Sequence, residues 1–168
     1  MTAMQTVFLV GFTAATAVIV AFTGLVAAGA RRTDGGAGLG AYLSSRLSRR
    51  SYDRGEGNRW AFYAHRISGF AVFTFLAMHI LDVSLYAWSP EVFDEVHELY
   101  STAVMRVFEC GLLAALAFHA FNGLRLVAID VWDVGPVGAA RLLDAVLAVT
   151  AVVTVGGGAV ILWPVVAG

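Results

Sequence analysis

The stretch VFECGLLAALAFHAFNGLRLVAID, residues 107–130, decides the fold of this chain. Its first twelve residues carry a single formal charge, Glu109, and are otherwise apolar or small. Crossing a bilayer core takes about 20 such residues in a helix. Yet His119, Asn122, Gly123 and Arg125 then follow within two turns. Polar and ionisable groups in a spanning helix are costly without partners, and they mark function by default.

The rest of the chain agrees with a membrane setting. Of 168 residues 59% are hydrophobic and only 14% charged, with a mean hydropathy of +0.76. That is too apolar for a soluble domain of this length. All eleven basic residues are arginine, and a net charge of −1 gives no sign of nucleic-acid binding. Cys110 lies alone in an apolar run and reads as a small buried hydrophobe.

Four segments are long enough to span: Thr6–Ala30, about Trp60–Trp88, about Thr102–Ile129 and about Leu142–Val166. A cleaved leader is the rival reading of the first. However, Met1–Gln5 has no basic residue and the apolar run exceeds a leader's core, so we expect a retained helix. The fold expected is all-α, a transmembrane helical bundle of three core spans plus one extra N-terminal span. By residue number it divides into an N-terminal helix over 1–30, an arginine- and glycine-rich linker over 31–59 and a three-span domain over 60–168.

Seven arginines between Arg31 and Arg59 place that linker in the cytoplasm by the positive-inside rule. Within it, AYLSSRLSRRS (41–51) reads equally as an amphipathic helix on anionic headgroups or as a solvated topology signal. The connection SPEVFDEVHELY (89–100) holds four acidic residues and no arginine, so it belongs outside. Ser89 as N-cap, Pro90 in the first helical position and Glu91 in the first turn predict a short interfacial helix. Val92, Phe93, Val96, Leu99 and Tyr100 form its apolar face, and His97 is expected to be solvated. The protein is then multi-pass in the cytoplasmic membrane, N-out and C-out. Gly156-Gly157-Gly158 in the last span reads as a packing site.

With this topology two polar clusters meet at the cytoplasmic side: Tyr63-Ala64-His65-Arg66-Ile67-Ser68-Gly69 and His119–Arg125. A neutral imidazole at His119 suits axial ligation of haem iron. Arg125, six residues or about 9 Å further along the helix, suits a cation near haem propionates. A histidine hydrogen-bonded between helices with a snorkelling Arg125 explains the spacing equally well. His79 lies about 21 Å beyond His65 along its helix; it reads as a further haem ligand or as a structural partner of Asp82. Arg66, with His65, Ser68 and Tyr63, offers the cation and donors that a quinone needs. An interfacial aromatic–arginine belt is the competing reading.

Together, HRISG (65–69) opening one span and HAFNGLRLVAID (119–130) closing the next resemble the cytochrome b membrane-anchor subunit of succinate dehydrogenase and fumarate reductase, respiratory complex II. The family motifs are His-Arg-x-Ser/Thr-Gly and His-x-x-x-Gly-x-Arg followed by an aspartate. SPEVFDEVHELY and RVFECGLLAALAFHAFNGLR look like the actinobacterial type, and the likeness covers about Tyr52–Trp132. The resemblance implies His119 as axial haem b ligand, Arg125 near the propionates, and Arg66 with His65 in the ubiquinone or menaquinone pocket. It implies one haem, or two if His79 takes part, together with flavoprotein and iron–sulfur subunits and a second small membrane-anchor subunit. Succinate chemistry would take place on those other subunits. Phe62 stands where the family has a quinone-pocket serine, and Leu126 where some members have a second histidine. A diheme cytochrome b of another quinol oxidoreductase, using His65, His79, His97 and His119, and a haem-free assembly subunit are the alternatives.

Overall fold

The structure is a computed structural model that describes residues 2–33 and 54–167. Helix α1 runs over Ala3–Thr33, α2 over Arg54–Trp88, α3 over Pro90–His97, α4 over Ala103–Trp132 and α5 over Pro136–Ala167, with a 3₁₀ turn at Glu98–Ser101. All regular structure among the described residues is helical, as expected. The four long helices are each apolar enough to cross a membrane. They run a few residues beyond the spans read from hydropathy, since the helix continues into the interface on either side. The linker segment 41–51, with its amphipathic reading, lies outside the described residues.

The helix ends follow from local chemistry. Ser89, extended at φ −156°, accepts from the Val92 N–H at 3.4 Å, and Pro90 takes the first turn, where its missing N–H costs nothing. Ser89 also donates to Glu91 at 2.9 Å. Its own backbone N–H and then that serine hold the Glu91 carboxyl below the usual range. Thr102 caps α4 in the same way. That helix stops at Asp133, the single described non-glycine residue with positive φ (48°), and Gly135-Pro136 starts α5. A three-residue turn makes α4 and α5 antiparallel neighbours, and they form the largest packed interface.

Packing fixes α2 antiparallel to α4. His65, early in α2, meets His119, late in α4, whereas Asp82, late in α2, meets Tyr100 just before α4. Two glycines of the triplet pack as expected: a Cβ on Gly157 would fall 2.5 Å from Leu113 Cδ2, and Gly158 lies against Cys110, whereas Gly156 faces open space. Helix α1 lies along α2 through Phe22 on Phe70 (4.2 Å between centroids) and reaches α4 through Phe12 on Phe108 (4.6 Å). Gln5, buried, donates to the Glu95 carbonyl at 3.0 Å and so ties the start of α1 to α3. Val96, on the predicted apolar face of α3, is fully buried. His97 is exposed as expected but stacks between Phe93 (4.7 Å) and Tyr100 (4.9 Å).

Candidate functional site: a paired-histidine seat between α2 and α4

The two polar clusters converge at one level of the bundle. The imidazoles of His65 and His119 stack face to face, 4.1 Å between centroids and 4° from parallel. Each belongs to a His-x-x-x-Gly sequence, and each ring lies against the glycine of the other helix. A Cβ on Gly69 would sit 2.6 Å from His119 Cε1 and 3.0 Å from its Nδ1; a Cβ on Gly123 would sit 3.6 Å from His65 Cε1. Gly69 is therefore obligatory for the present ring position, and Gly123 is merely in contact. Gly123 thus lies against the partner histidine on the other helix. Gly69 closes the HRISG motif, and the repeated four-residue offset from histidine to glycine is the sequence signal for this packing.

His119 is held by α2. Its Nδ1 is 3.2 Å from the His65 carbonyl oxygen and 3.5 Å from Ser68 Oγ, while the Ser68 hydroxyl donates to that same carbonyl at 3.0 Å. Nδ1 of His65 is buried without a partner, as is Nδ2 of Asn122. Face-to-face rings at this separation cannot approach one iron from opposite sides, so one axial nitrogen from this pair is the most the geometry accommodates. The donor set fits that: one oriented imidazole, a glycine beside it, and buried polar atoms left unsatisfied nearby.

Arg125 is only 5% exposed; its Nε and Nη2 donate to the Ala139 carbonyl at 3.2 and 3.1 Å, and Nη1 donates to Asn122 Oδ1 at 3.3 Å. It does not snorkel. The two contacts with Ala139 join α4 to the first turn of α5, and the third, with Asn122, lies within α4. Arg66 is exposed, with its guanidinium carbon 5.1 Å from the Phe62 ring centroid. Tyr63 packs edge-on against the same ring. Ser68, 7% exposed, is turned to His119 and away from Arg66. Of the quinone set read from sequence, Arg66 and Tyr63 share the Phe62 ring, while His65 and Ser68 both contact His119. Two positions apart on a helix means about 200° of rotation, which linear proximity conceals.

Toward the other end of the bundle, His79 is exposed and stacks on Phe75 at 5.7 Å. The His79–Asp82 hydrogen bond suggested by spacing is not formed. Asp82, 4% exposed, accepts instead from the Tyr100 hydroxyl at 3.1 Å, and its other oxygen has no partner. These residues line a cavity of about 290 Å³ with Phe8, Phe12 and Glu109. Burial first, then the Asp82 charge and hydrogen bond, then Glu109, raise the Tyr100 hydroxyl above the usual phenol range. The contact therefore persists from neutral pH into the alkaline range, and its contribution, full below the ordinary phenol value, is lost as pH rises from there through the raised one. Tyr100→Phe leaves both oxygens of a buried carboxylate unpartnered; we expect a loss of about 1–3 kcal/mol, read as a lower melting midpoint of the purified protein. Among the described residues no cluster of three or more His, Cys, Asp or Glu side chains is arranged to hold a metal ion.

Among the described residues, fold and site define a helical membrane protein with four candidate spans, the second and third of which present paired histidines at one level. Residues 54–157 match the family model described as succinate dehydrogenase/fumarate reductase transmembrane subunit. The chain is 41% identical over 87 residues to the succinate dehydrogenase 2 membrane subunit SdhC of Mycobacterium tuberculosis, covering 52% of this chain and 64% of that protein. It is 33% identical over 92 residues to the succinate dehydrogenase hydrophobic membrane anchor subunit of Halobacterium salinarum, covering 48% and 71%. The chain therefore belongs to the succinate dehydrogenase/fumarate reductase transmembrane subunit family. Helix α1 lies outside the matched residues.

Proposed function

We propose that this chain is the cytochrome b anchor of a succinate:quinone oxidoreductase, holding haem b through His119 and forming part of the quinone site. The observation that carries this reading is the seating of His119: one imidazole fixed on α2 by its Nδ1 and packed on Gly69, with Arg66 less than a turn further along the chain from His65. Bound there, haem b would supply a one-electron relay beside the quinone. His119 would be the axial ligand from this chain, and Arg125 the cation for the propionates while it holds α4 to α5. A second small membrane subunit would supply a further ligand, since the two stacked imidazoles of this chain are too close to hold one iron between them.

The quinone pocket uses Arg66, His65 and Tyr63. A guanidinium stabilises negative charge developing on a quinone oxygen, and the Phe62 ring fixes that guanidinium by a cation–π contact worth about 0.5–1 kcal/mol at an exposed site. The unpartnered Nδ1 of His65 is available for hydrogen bonding to a bound headgroup. The flavoprotein and iron–sulfur subunits dock on the cytoplasmic face, over residues 31–66 and 130–141, with both termini outside. The quinone is ubiquinone or menaquinone, and dicarboxylate chemistry belongs to the flavoprotein.

Affinity isolation of the tagged chain from its native membranes tests the proposal. Flavin- and iron–sulfur-containing subunits and a dithionite-reducible haem b band are expected in the same fraction; isolation of the chain without either contradicts it. Within that complex, Arg66→Leu is expected to raise the KM for quinone roughly 10-fold or more, corresponding to about 1.4 kcal/mol or more of lost binding, with haem content unchanged. Steady-state quinone reduction at varied quinone concentration reads this.

A further inference from the structure

We infer that helix α2 dictates which nitrogen of His119 is free to coordinate, and that Ser68 is the positioning residue of that ligand. The inference rests on the reading of His119 as a haem ligand and deepens it. A backbone carbonyl only accepts, so the 3.2 Å contact to the His65 oxygen requires a proton on His119 Nδ1. The Ser68 hydroxyl proton is directed to the same carbonyl, 3.0 Å away. Its oxygen therefore turns lone pairs toward Nδ1, 3.5 Å off, and the Nδ1 proton is shared between two acceptors. Nε2 is left as the atom bearing the lone pair.

The arrangement is enclosed. Ser68 is buried, and the missing side chain of Gly69 leaves the ring just the space it occupies, with a Cβ there falling 2.6 Å from Cε1. The other face of the ring is covered by His65. Rotation about the ring axis would exchange Nδ1 with carbon and abandon both acceptors. The imidazole is thus fixed in position, plane and tautomer by one turn of α2, residues 65–69.

Acceptors on Nδ1–H raise the basicity of the opposite nitrogen, and a more basic axial ligand favours the oxidised iron. Removing one of two acceptors weakens that preference. Threonine keeps the hydroxyl and, in a helix, bonds back to the preceding turn's carbonyl as Ser68 does.

The test is an anaerobic spectroelectrochemical titration of haem b in the purified intact complex, with low-temperature electron paramagnetic resonance, for Ser68→Ala, Ser68→Thr and His119→Ala. Ser68→Ala is expected to keep its haem and to shift the midpoint potential positive, with an altered low-spin signal; Ser68→Thr should restore both toward the parent values. An unshifted potential and signal in Ser68→Ala, with haem lost from His119→Ala, overturns the role of Ser68 while leaving the ligand in place. Haem retained with its parent spectrum in His119→Ala overturns both readings. Loss of haem from both serine variants marks a merely structural serine and overturns the inference as well.

Discussion

Gly69→Ala is expected to dislodge His119 and empty the haem site. The added methyl would lie 2.6 Å from Cε1 and 3.0 Å from Nδ1 of the ring, closer than real side-chain contacts allow. The ring has little freedom to yield. It is stacked on His65 at 4.1 Å and bonded to the His65 carbonyl, so either the Nδ1 hydrogen bond breaks or α2 and α4 separate. Overpacking of this kind costs about 1–3 kcal/mol, and a ligand displaced by about 1 Å no longer reaches its metal. Haem content of the purified complex should fall several-fold or more. Gly123→Ala is the internal control, since its methyl would make an ordinary 3.6 Å contact with His65. Gly157→Ala is a second one: its 2.5 Å contact is with the far end of Leu113, a side chain that can move. Equal haem loss in all three would mean that the glycines act through general packing rather than through the histidine seat.

Arg125→Leu is expected to loosen the end of the bundle where α4 turns into α5. Two donors of the guanidinium link α4 to the Ala139 carbonyl on α5, and a third holds Asn122, fully buried on α4 itself. Leucine fills part of the volume but leaves the Asn122 carbonyl oxygen without this donor, beside an amide nitrogen already unpartnered. Hydrogen bonds to charged groups contribute about 1.5–3 kcal/mol each, and orphaning a buried polar group costs about 1–3 kcal/mol. A drop in the thermal or detergent unfolding midpoint of the complex is therefore expected. Arg125→Lys should recover little of it, because an ammonium cannot present the same fork to one carbonyl and one side chain. An unchanged midpoint in Arg125→Leu contradicts the placement of this guanidinium between α4 and α5.

The spans were legible because a helix in lipid is apolar all round, and length alone then counts them. The level shared by His65 and His119 followed from topology, since charge in the connections orients each span. Which residues touch was less legible. Asp82 looked like a partner for His79 because three positions separate them, but Tyr100 competes from a different element and the His79 ring finds Phe75. Helical rotation carries Ser68, two positions from Arg66, to His119, a contact that the linear motif does not display. The Gln5 hydrogen bond to Glu95 links residues 90 apart, and no local pattern encodes it. Arg125 at the end of a span suggested snorkelling; the α5 carbonyl that buries it belongs to a helix whose approach no single segment specifies.

The central claim is that this chain contributes one axial histidine, His119, to a haem b. Haem per complex, measured by pyridine haemochrome assay on intact complexes carrying His119→Ala or His79→Ala, tests it most directly. His119→Ala is expected to lose the haem b of this site, while His79→Ala, whose ring is exposed and stacked on Phe75, is expected to keep it. Full haem content in His119→Ala, or loss in His79→Ala alone, would contradict it.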